Sequence, residues 1–513
     1  MHQTLTVVLE ILLIAAAVGI AAKRIRMHYN IALVLAGVAV GAVKILPSIA
    51  LDPHIVLQIF LPILLFEASI STDVRRLRDN LTPVALLAVP GMLITVFAAG
   101  LVLAAGLALD WGTALLLGAI LATTDTIAVI ASIRKVRVPA RLETIVENES
   151  LLNDGTALVA FSVILEAVQR GHFDPKRGLV ELVWVTVGGL GAGAVVGYVA
   201  SQLMSRTNDH LVEIMLTVLV AYGASLLGEA IHGSPVLAVV TAGLVVGSLG
   251  WKDLSATGKV AIRSFWEVAA FGVNSVVFLL IGLQVDFQEL WAGRAGIGWG
   301  LLALTLGRAL AVYPLLALTR LGRAPVPLRW QHLLVWGNLK GSLSMALVLS
   351  LPADLPHRDL LVVIVFGCTI VTLTVQGLSL GRVIRWMGMG RLGETERRVE
   401  HERGRLLAAR AGQAELDRLQ HMGVLPLGVF QRMRAAYQGV VARSERSLQD
   451  ILAIHTHEET RYSETVRRHL LVVEKSALRD AVASGIVSEE VASELGAGID
   501  KQLAQIVERE QEG

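Results

Sequence analysis

The stretch GAILATTDTIAVIA, residues 118–131, decides how this chain is read. It starts and ends as small and branched apolar residues, but its middle is Thr123-Thr124-Asp125-Thr126. In hydrocarbon there is no water to satisfy such a patch, so an intramembrane carboxylate is costly and marks function. The composition puts the stretch in a membrane. The chain has 513 residues, 54% apolar and 17% charged, with a mean hydropathy of +0.63. A soluble domain carries about 25% charged residues. The net charge of +2 gives no reason to expect nucleic acid as a partner. The single cysteine, Cys368, rules out an internal disulfide. The N-terminus, MHQTLTVVLEILLIAAAVGIAAKRIR, lacks a basic leader and a small-residue cleavage site, and reads as a retained first span.

Working outward, a span needs about 20 mainly apolar residues. Thirteen are expected, at 4–22, 29–46, 54–71, 81–109, 111–133, 142–169, 178–204, 209–232, 235–250, 260–284, 296–319, 330–351 and 359–381. The loops after odd-numbered spans, with their flanks, hold 17 Lys and Arg, and those after even-numbered spans hold 6. Basic loops stay in the cytoplasm, which places the N-terminus outside and the C-terminus inside. Residues 386–513 hold 38 of the 88 charged residues and read as a helical cytosolic domain, with 1–385 as the membrane domain. Within the tail, Gly485 breaks the helical pattern and Ser488 restarts it as an N-cap. Gly388, Gly390 and Gly393 spell a dinucleotide-binding pattern, but it follows a membrane helix and not a strand, so that reading fails. His455 and Glu459, one turn apart, read as a solvated helix face and not a metal site.

Thirteen divides as six, one and six, which fits two inverted repeats with the seventh span as linker. Transporters of this design interrupt equivalent helices in both halves near mid-membrane. The fifth span has the Thr-Thr-Asp-Thr patch. The twelfth, its counterpart, has Gly337-Asn338-Leu339-Lys340-Gly341-Ser342. In the seventh, Gly189, Gly193 and Gly197 recur every four residues as a close-packing face.

Ionisable residues collect around these breaks. In the sixth span, Glu143, Glu147, Ser150 and Asp154 share one helical face, with Glu149 and Asn153 on a neighbouring strip. At 1.5 Å per residue, Asp154 lies about 18 Å deep, Lys340 about 15 Å and Asp125 about 21 Å, all near the midplane. Glu67 lies nearer the cytoplasmic end of the third span, and Arg308 midway along the eleventh. Oxygen donors from Asp154, Ser150, Asn153, Thr124 and Glu67 suit a small hard cation. Desolvation disfavours the charged form of a carboxylate, so one aspartate can hold a proton or a cation but not both. Competition for it, with access alternating between sides, gives cation/proton exchange. Asp125 reads equally as a partner for a half-helix end. Lys340 reads as compensation for the break or as a partner of Glu149. Glu67 is either a ligand or a lining residue of the inner funnel, and Arg308 a member of a structural ion pair.

LPILLFEASI (61–70), GAILATTDTIAVIA (118–131), ENESLLNDGTALVAF (147–161) and GNLKGSLSMALVLSLP (337–352) resemble the signature stretches of NhaP/NHE-like sodium/proton antiporters, of the monovalent cation:proton antiporter superfamily. The similarity covers nearly all of 1–385. It implies an all-α polytopic fold of the NhaA-like kind, with crossed broken helices, in a homodimer. Each protomer would have a dimer subdomain and a six-helix core that moves like an elevator. It implies an ion site of Glu67, Thr124, Ser150 and Asp154, supported by Asn153 and Asp125, with Glu149 paired to Lys340. Asn153 before Asp154, in place of a second aspartate, implies one cation for one proton. The substrates would be Na⁺ or Li⁺, with K⁺ the alternative, and H⁺. No cofactor is implied, and the expected place is the cell (inner) membrane. Three departures stand out: Asn148 where the family has Gly, Thr126 where it often has Pro, and Lys340 where it has Arg. Lysine lacks the bidentate fork of arginine. A gated cation channel would need a continuous polar pore, which is not visible. A hydrolase would need a base beside Ser150, and no histidine lies on a nearby span.

Overall fold

In a computed structural model, residues 2–453 are described except 26–28, 44–52, 137, 171–174, 208, 252–253, 255, 285–286, 322–324, 390–393 and 423–425, with scattered positions beyond Ala453. The chain divides into two compact units, Met1–Arg391 and Leu392–Gly513. Among the described residues all regular structure is helical.

In the first unit, seven helices are long and apolar enough to cross a membrane: Leu81–Leu107, Ala140–Arg170, Val180–Met204, His210–Ala230, Gly258–Leu283, Arg294–Leu318 and Arg358–Trp386. Leu13–Ala22, Tyr29–Gly41, Val56–Ile70, Trp111–Ala122 and Pro235–Gly250 are shorter apolar helices. Two expected spans are split. The fifth becomes Trp111–Ala122 and Thr126–Val136, and the twelfth becomes Leu328–Trp336 and Ser342–Leu349. Helix starts follow local chemistry. Asp110 accepts from Thr113 N at 2.9 Å, Asp209 from Leu211 N at 2.9 Å, and Ser234 from Leu237 N at 3.3 Å, the last with Pro235 in the first turn.

Small residues set how closely the helices approach. A Cβ on Gly189 would lie 2.6 Å from the Ser234 carbonyl oxygen, and one on Gly193 2.2 Å from that of Ala238. Gly197 meets Ala242 in the same way, so the glycine face of Pro175–Met204 packs directly on Pro235–Val245. Wider π turns interrupt several helices, at Val56–Phe60, Leu87–Gly91, Val246–Gly250 and Thr372–Gly377. Pro90, which has no N–H to give, lies in the second of these, and the Ala88 carbonyl there accepts from Thr156 Oγ1 at 2.6 Å.

Gly388 closes the helix Leu378–Trp386 and has no part in a nucleotide loop. Its φ is +71°, it donates to the Arg385 carbonyl, and Met389 N donates to Ile384. That is a glycine C-cap. Gly390 and Gly393 lie outside the described residues.

The second unit contains the helices Glu394–His421 and Leu427–Ala453. Arg410 pairs with Glu445 at 2.8 Å, and Gly412 lies against the Tyr437 ring. The Ser444 hydroxyl beside Glu402 holds that carboxyl below the usual carboxylate range. Val491 N donates to Ser488 Oγ at 3.5 Å, whereas Gly485, His455 and Glu459 lie outside the described residues.

Candidate ion site

The Trp111–Ala122 helix ends because Thr123 turns extended, at φ −61° and ψ 148°. That frees the last carbonyls of the helix, which side chains from elsewhere then satisfy. Asn153 Nδ2 donates to Ala122 O at 3.0 Å, Lys340 Nζ to Thr123 O at 2.6 Å, and Ser150 Oγ to Thr124 O at 3.1 Å. The second interruption lies directly against the first. Asp125 N donates to Leu339 O at 2.8 Å, and the Thr123 and Ser344 hydroxyls share a hydrogen bond of 2.6 Å. Lys340 Nζ also donates to Asn338 Oδ1 at 2.8 Å, and Lys340 N to Thr372 Oγ1 at 3.2 Å. Lys340 itself is fully buried.

The two breaks exchange charges. Asp125 lies against Gly341, where a Cβ would come within 3.0 Å of Oδ2, at the start of the helix Ser342–Leu349. A helix N-terminus favours negative charge and a C-terminus positive charge. The Lys340 ammonium sits at the C-terminal end of Trp111–Ala122, so each half-helix end meets the suitable sign.

The Ala140–Arg170 helix presents Ser150, Asn153 and Asp154 to this crossing. Asp154 Oδ1 accepts from Thr124 N at 3.2 Å, and Thr124 Oγ1 and Ser150 Oγ are 2.6 Å apart. Asn153 Oδ1 has no hydrogen-bond partner among the described residues. Thr124, Ser150, Asn153, Asp154, Asp125 and Lys340 are thus brought together.

The expected Glu149–Lys340 pair does not form. Glu149 is held by Arg308, with Nη1 to Oε1 at 2.8 Å and Nη2 to Oε2 at 2.9 Å, both groups buried. The cause is geometric. Glu149 lies on the strip beside Ser150 and faces Arg294–Leu318, while the Lys340 amine is already engaged at the break. A guanidinium fork matches both carboxylate oxygens, as an ammonium cannot. Arg308 Nε reaches on to Leu334 O at 3.3 Å, tying the pair to the helix Leu328–Trp336.

A cavity of about 690 Å³ opens onto the crossing and is lined by Thr124, Asp125, Ser150 and Asp154. Its lining also carries Glu67, Asp73, Glu143, Glu147 and Glu267 with Arg76, Arg134 and Arg263. Arg134 pairs with Glu143 at 2.7 Å and Arg263 with Glu267 at 3.2 Å. The charges near Glu67 include Glu147, Glu267, Arg134 and Arg263, and those near Asp154 include Asp125, Lys340 and Glu149. Glu67 therefore shares the cavity with Asp154 without joining the knot at Thr124. Carboxylates outnumber guanidinium groups along this lining, a field that concentrates cations. Tyr29, Asn30 and Asn274, which no charge or motif in the sequence marks, also line the cavity. The signal for Asn274 is that of a lone amide within an apolar span, where a polar group is costly.

With this geometry in hand, the chain is comparable with known proteins. The model of the sodium/hydrogen exchanger transmembrane family matches residues 11–386. The chain is 40% identical over 490 residues to the Na⁺/H⁺ antiporter NhaS2 of Synechocystis sp., covering 94% of this chain and 90% of that one. It is 30% identical to the Na⁺/H⁺ antiporter NhaG of Bacillus atrophaeus, covering 96% of each chain. In fold it is similar to the sodium proton antiporter MjNhaP1 from Methanocaldococcus jannaschii. The TM-score is 0.65 at 20% identity, over 75% of this chain and 99% of that one.

Proposed function

The chain belongs to the sodium/hydrogen exchanger family, and from that premise we propose that it exchanges Na⁺ or Li⁺ for H⁺ across a membrane at Asp154. The observation that carries this reading is the meeting of Asp154 with Thr124 and Ser150 at two crossed helix breaks, on a cavity lined with excess carboxylate. A bare monovalent cation needs several oxygens. The Asp154 carboxylate and the Thr124 and Ser150 hydroxyls supply them, with Glu67 as an outer ligand or funnel residue. Asn153 and Asp125 hold the crossing, and the Glu149–Arg308 pair and Lys340 hold the helices that frame it. A proton on Asp154 removes the charge the cation needs, so one site carries one or the other. This makes the exchange one for one.

The cavity walls support an elevator movement. One wall is made by the two breaks and the Ala140–Arg170 helix. The other is made by the helices Tyr29–Val43, Leu61–Ile70 and Ala256–Leu283. The first would carry the ion past the second, exposing Asp154 to either side. Within the same reading, thirteen spans form two inverted six-helix repeats around a linker helix, in a homodimer in the inner cell membrane. Residues 1–385 form the transporter, with the N-terminus outside and the tail 386–513 in the cytoplasm.

The test is proton movement in proteoliposomes under an imposed pH gradient, adding Na⁺, Li⁺ and K⁺ separately. The wild-type protein is expected to dissipate the gradient with Na⁺ or Li⁺, and Asp154→Asn to abolish this. Full exchange in Asp154→Asn would refute the site. Dissipation by K⁺ alone would change the substrate, and no response to any cation would end the antiport reading.

A further inference from the structure

The second wall of the cavity gives the proposed ion site Glu67, from Leu61–Ile70, and no ligand from its other helices. Two of its helices, Tyr29–Val43 and Ala256–Leu283, cross very closely. A Cβ on Gly37 would lie 2.3 Å from the Leu279 carbonyl oxygen, and one on Gly282 2.2 Å from that of Val34. Tyr29 stacks on Phe271 with ring centroids 4.7 Å apart, and its hydroxyl shares a 2.8 Å hydrogen bond with Ser275 Oγ. Such a clasp is rigid. Beside it on each helix stands an asparagine, Asn30 and Asn274, each 7% exposed and each lining the cavity.

Asn30 Nδ2 and Asn274 Oδ1 have no hydrogen-bond partner among the described residues. Asn148, on the Asp154 helix, lines the same cavity. Its Nδ2 donates to Thr144 O at 2.8 Å, while its Oδ1 has no such partner. Buried polar groups are rarely left unpaired, and three amides in this condition around one cavity call for a common explanation. A half-turn of the terminal torsion exchanges the oxygen and nitrogen of a carboxamide, which puts the Asn30 oxygen where its unpartnered nitrogen stands. A neutral carbonyl oxygen is also a ligand that replaces water on a monovalent cation and lets the ion leave again.

We infer that Asn274 and Asn30, together with Asn148, form a neutral station where amide oxygens replace part of the water of a monovalent cation on its way to Asp154. The station rests on the exchange reading and adds to it a place where ions are sorted by their cost of dehydration. Its ligand is a partly hydrated alkali cation. Carrying no charge, the station neither competes for the proton nor traps the ion.

The test is the same proteoliposome assay with Na⁺, Li⁺ and K⁺ titrated for wild type, Asn274→Ala, Asn30→Ala and Asn274→Ser. Losing one oxygen ligand in Asn274→Ala is expected to raise the half-saturating Na⁺ concentration about tenfold. It slows exchange far more at low than at saturating Na⁺, and it shifts the Li⁺ to Na⁺ preference. Asn274→Ser, which keeps an oxygen, recovers part of the loss. A merely structural asparagine would instead lower the maximal rate and leave half-saturation and preference as they are. If Asn274→Ala does not fold, Asn30→Ala and Asn274→Ser decide. Wild-type half-saturation and preference in the folded variants overturn the station. A wild-type protein that exchanges no cation overturns the exchange reading instead.

Discussion

The two helix interruptions are alike in position and opposite in chemistry. The first, after Ala122, is built of threonines and carries Asp125. The second, after Trp336, is built around glycines and carries Lys340. Each charge serves the other break. The Lys340 ammonium reaches across to Thr123 O, and Asp125 rests against Gly341 and donates its backbone N–H to Leu339 O. The lysine side chain makes two hydrogen bonds, to Thr123 O and Asn338 Oδ1, and the Asp125 carboxylate lies beside a helix start.

The largest test of this comparison lies just outside it. Arg308→Met leaves the Glu149 carboxylate buried and unpaired, which costs about 3–5 kcal/mol. The Leu328–Trp336 half-helix loses its tether at Leu334 as well. Melting of the detergent-solubilised protein is expected to fall most for this variant, with Glu149→Gln in the same background recovering part of the loss. No recovery would mean that the pair is not what holds the crossing.

Lys340→Met comes second. It strips the donor from Thr123 O and Asn338 Oδ1 together and is expected to cost about 2–3 kcal/mol in the same melting assay. A variant as stable as wild type would remove the reciprocal-charge account of the breaks.

Asp125→Asn is expected to be the mildest of the three, about 1 kcal/mol, because it removes a charge beside a helix terminus and leaves the backbone bond to Leu339 in place. If it melted below Lys340→Met, the anion would be the principal support of the crossing.

Much of this was legible beforehand. Both breaks stand out as polar or glycine-rich interruptions of apolar runs, and Ser150 and Asp154 follow from helical spacing on one segment. These signals are local, since span length and the 3.6-residue period act over neighbouring residues. Glu67 was harder to place. Its segment was visible, but only the packing shows it among Glu147, Glu267, Arg134 and Arg263, apart from the Thr124 knot. The expected pairing of Glu149 with Lys340 fails because a sequence shows two basic residues on neighbouring spans and nothing of which one faces it. Asn30 and Asn274 passed unnoticed because an uncharged amide barely lowers the hydropathy of a span.

The sequence by itself determined that the chain is helical and membrane-embedded and where its helices break. The reason is that a lipid core makes each backbone segment satisfy its own hydrogen bonds, which leaves a strong local record. Only the tertiary structure decided that Arg308, 159 residues away, answers Glu149, that Lys340 closes the end of another helix, and that three amides line one cavity. Those outcomes depend on the angle and closeness of helix crossings such as Gly37 with Gly282, which interhelical packing sets and no single segment records.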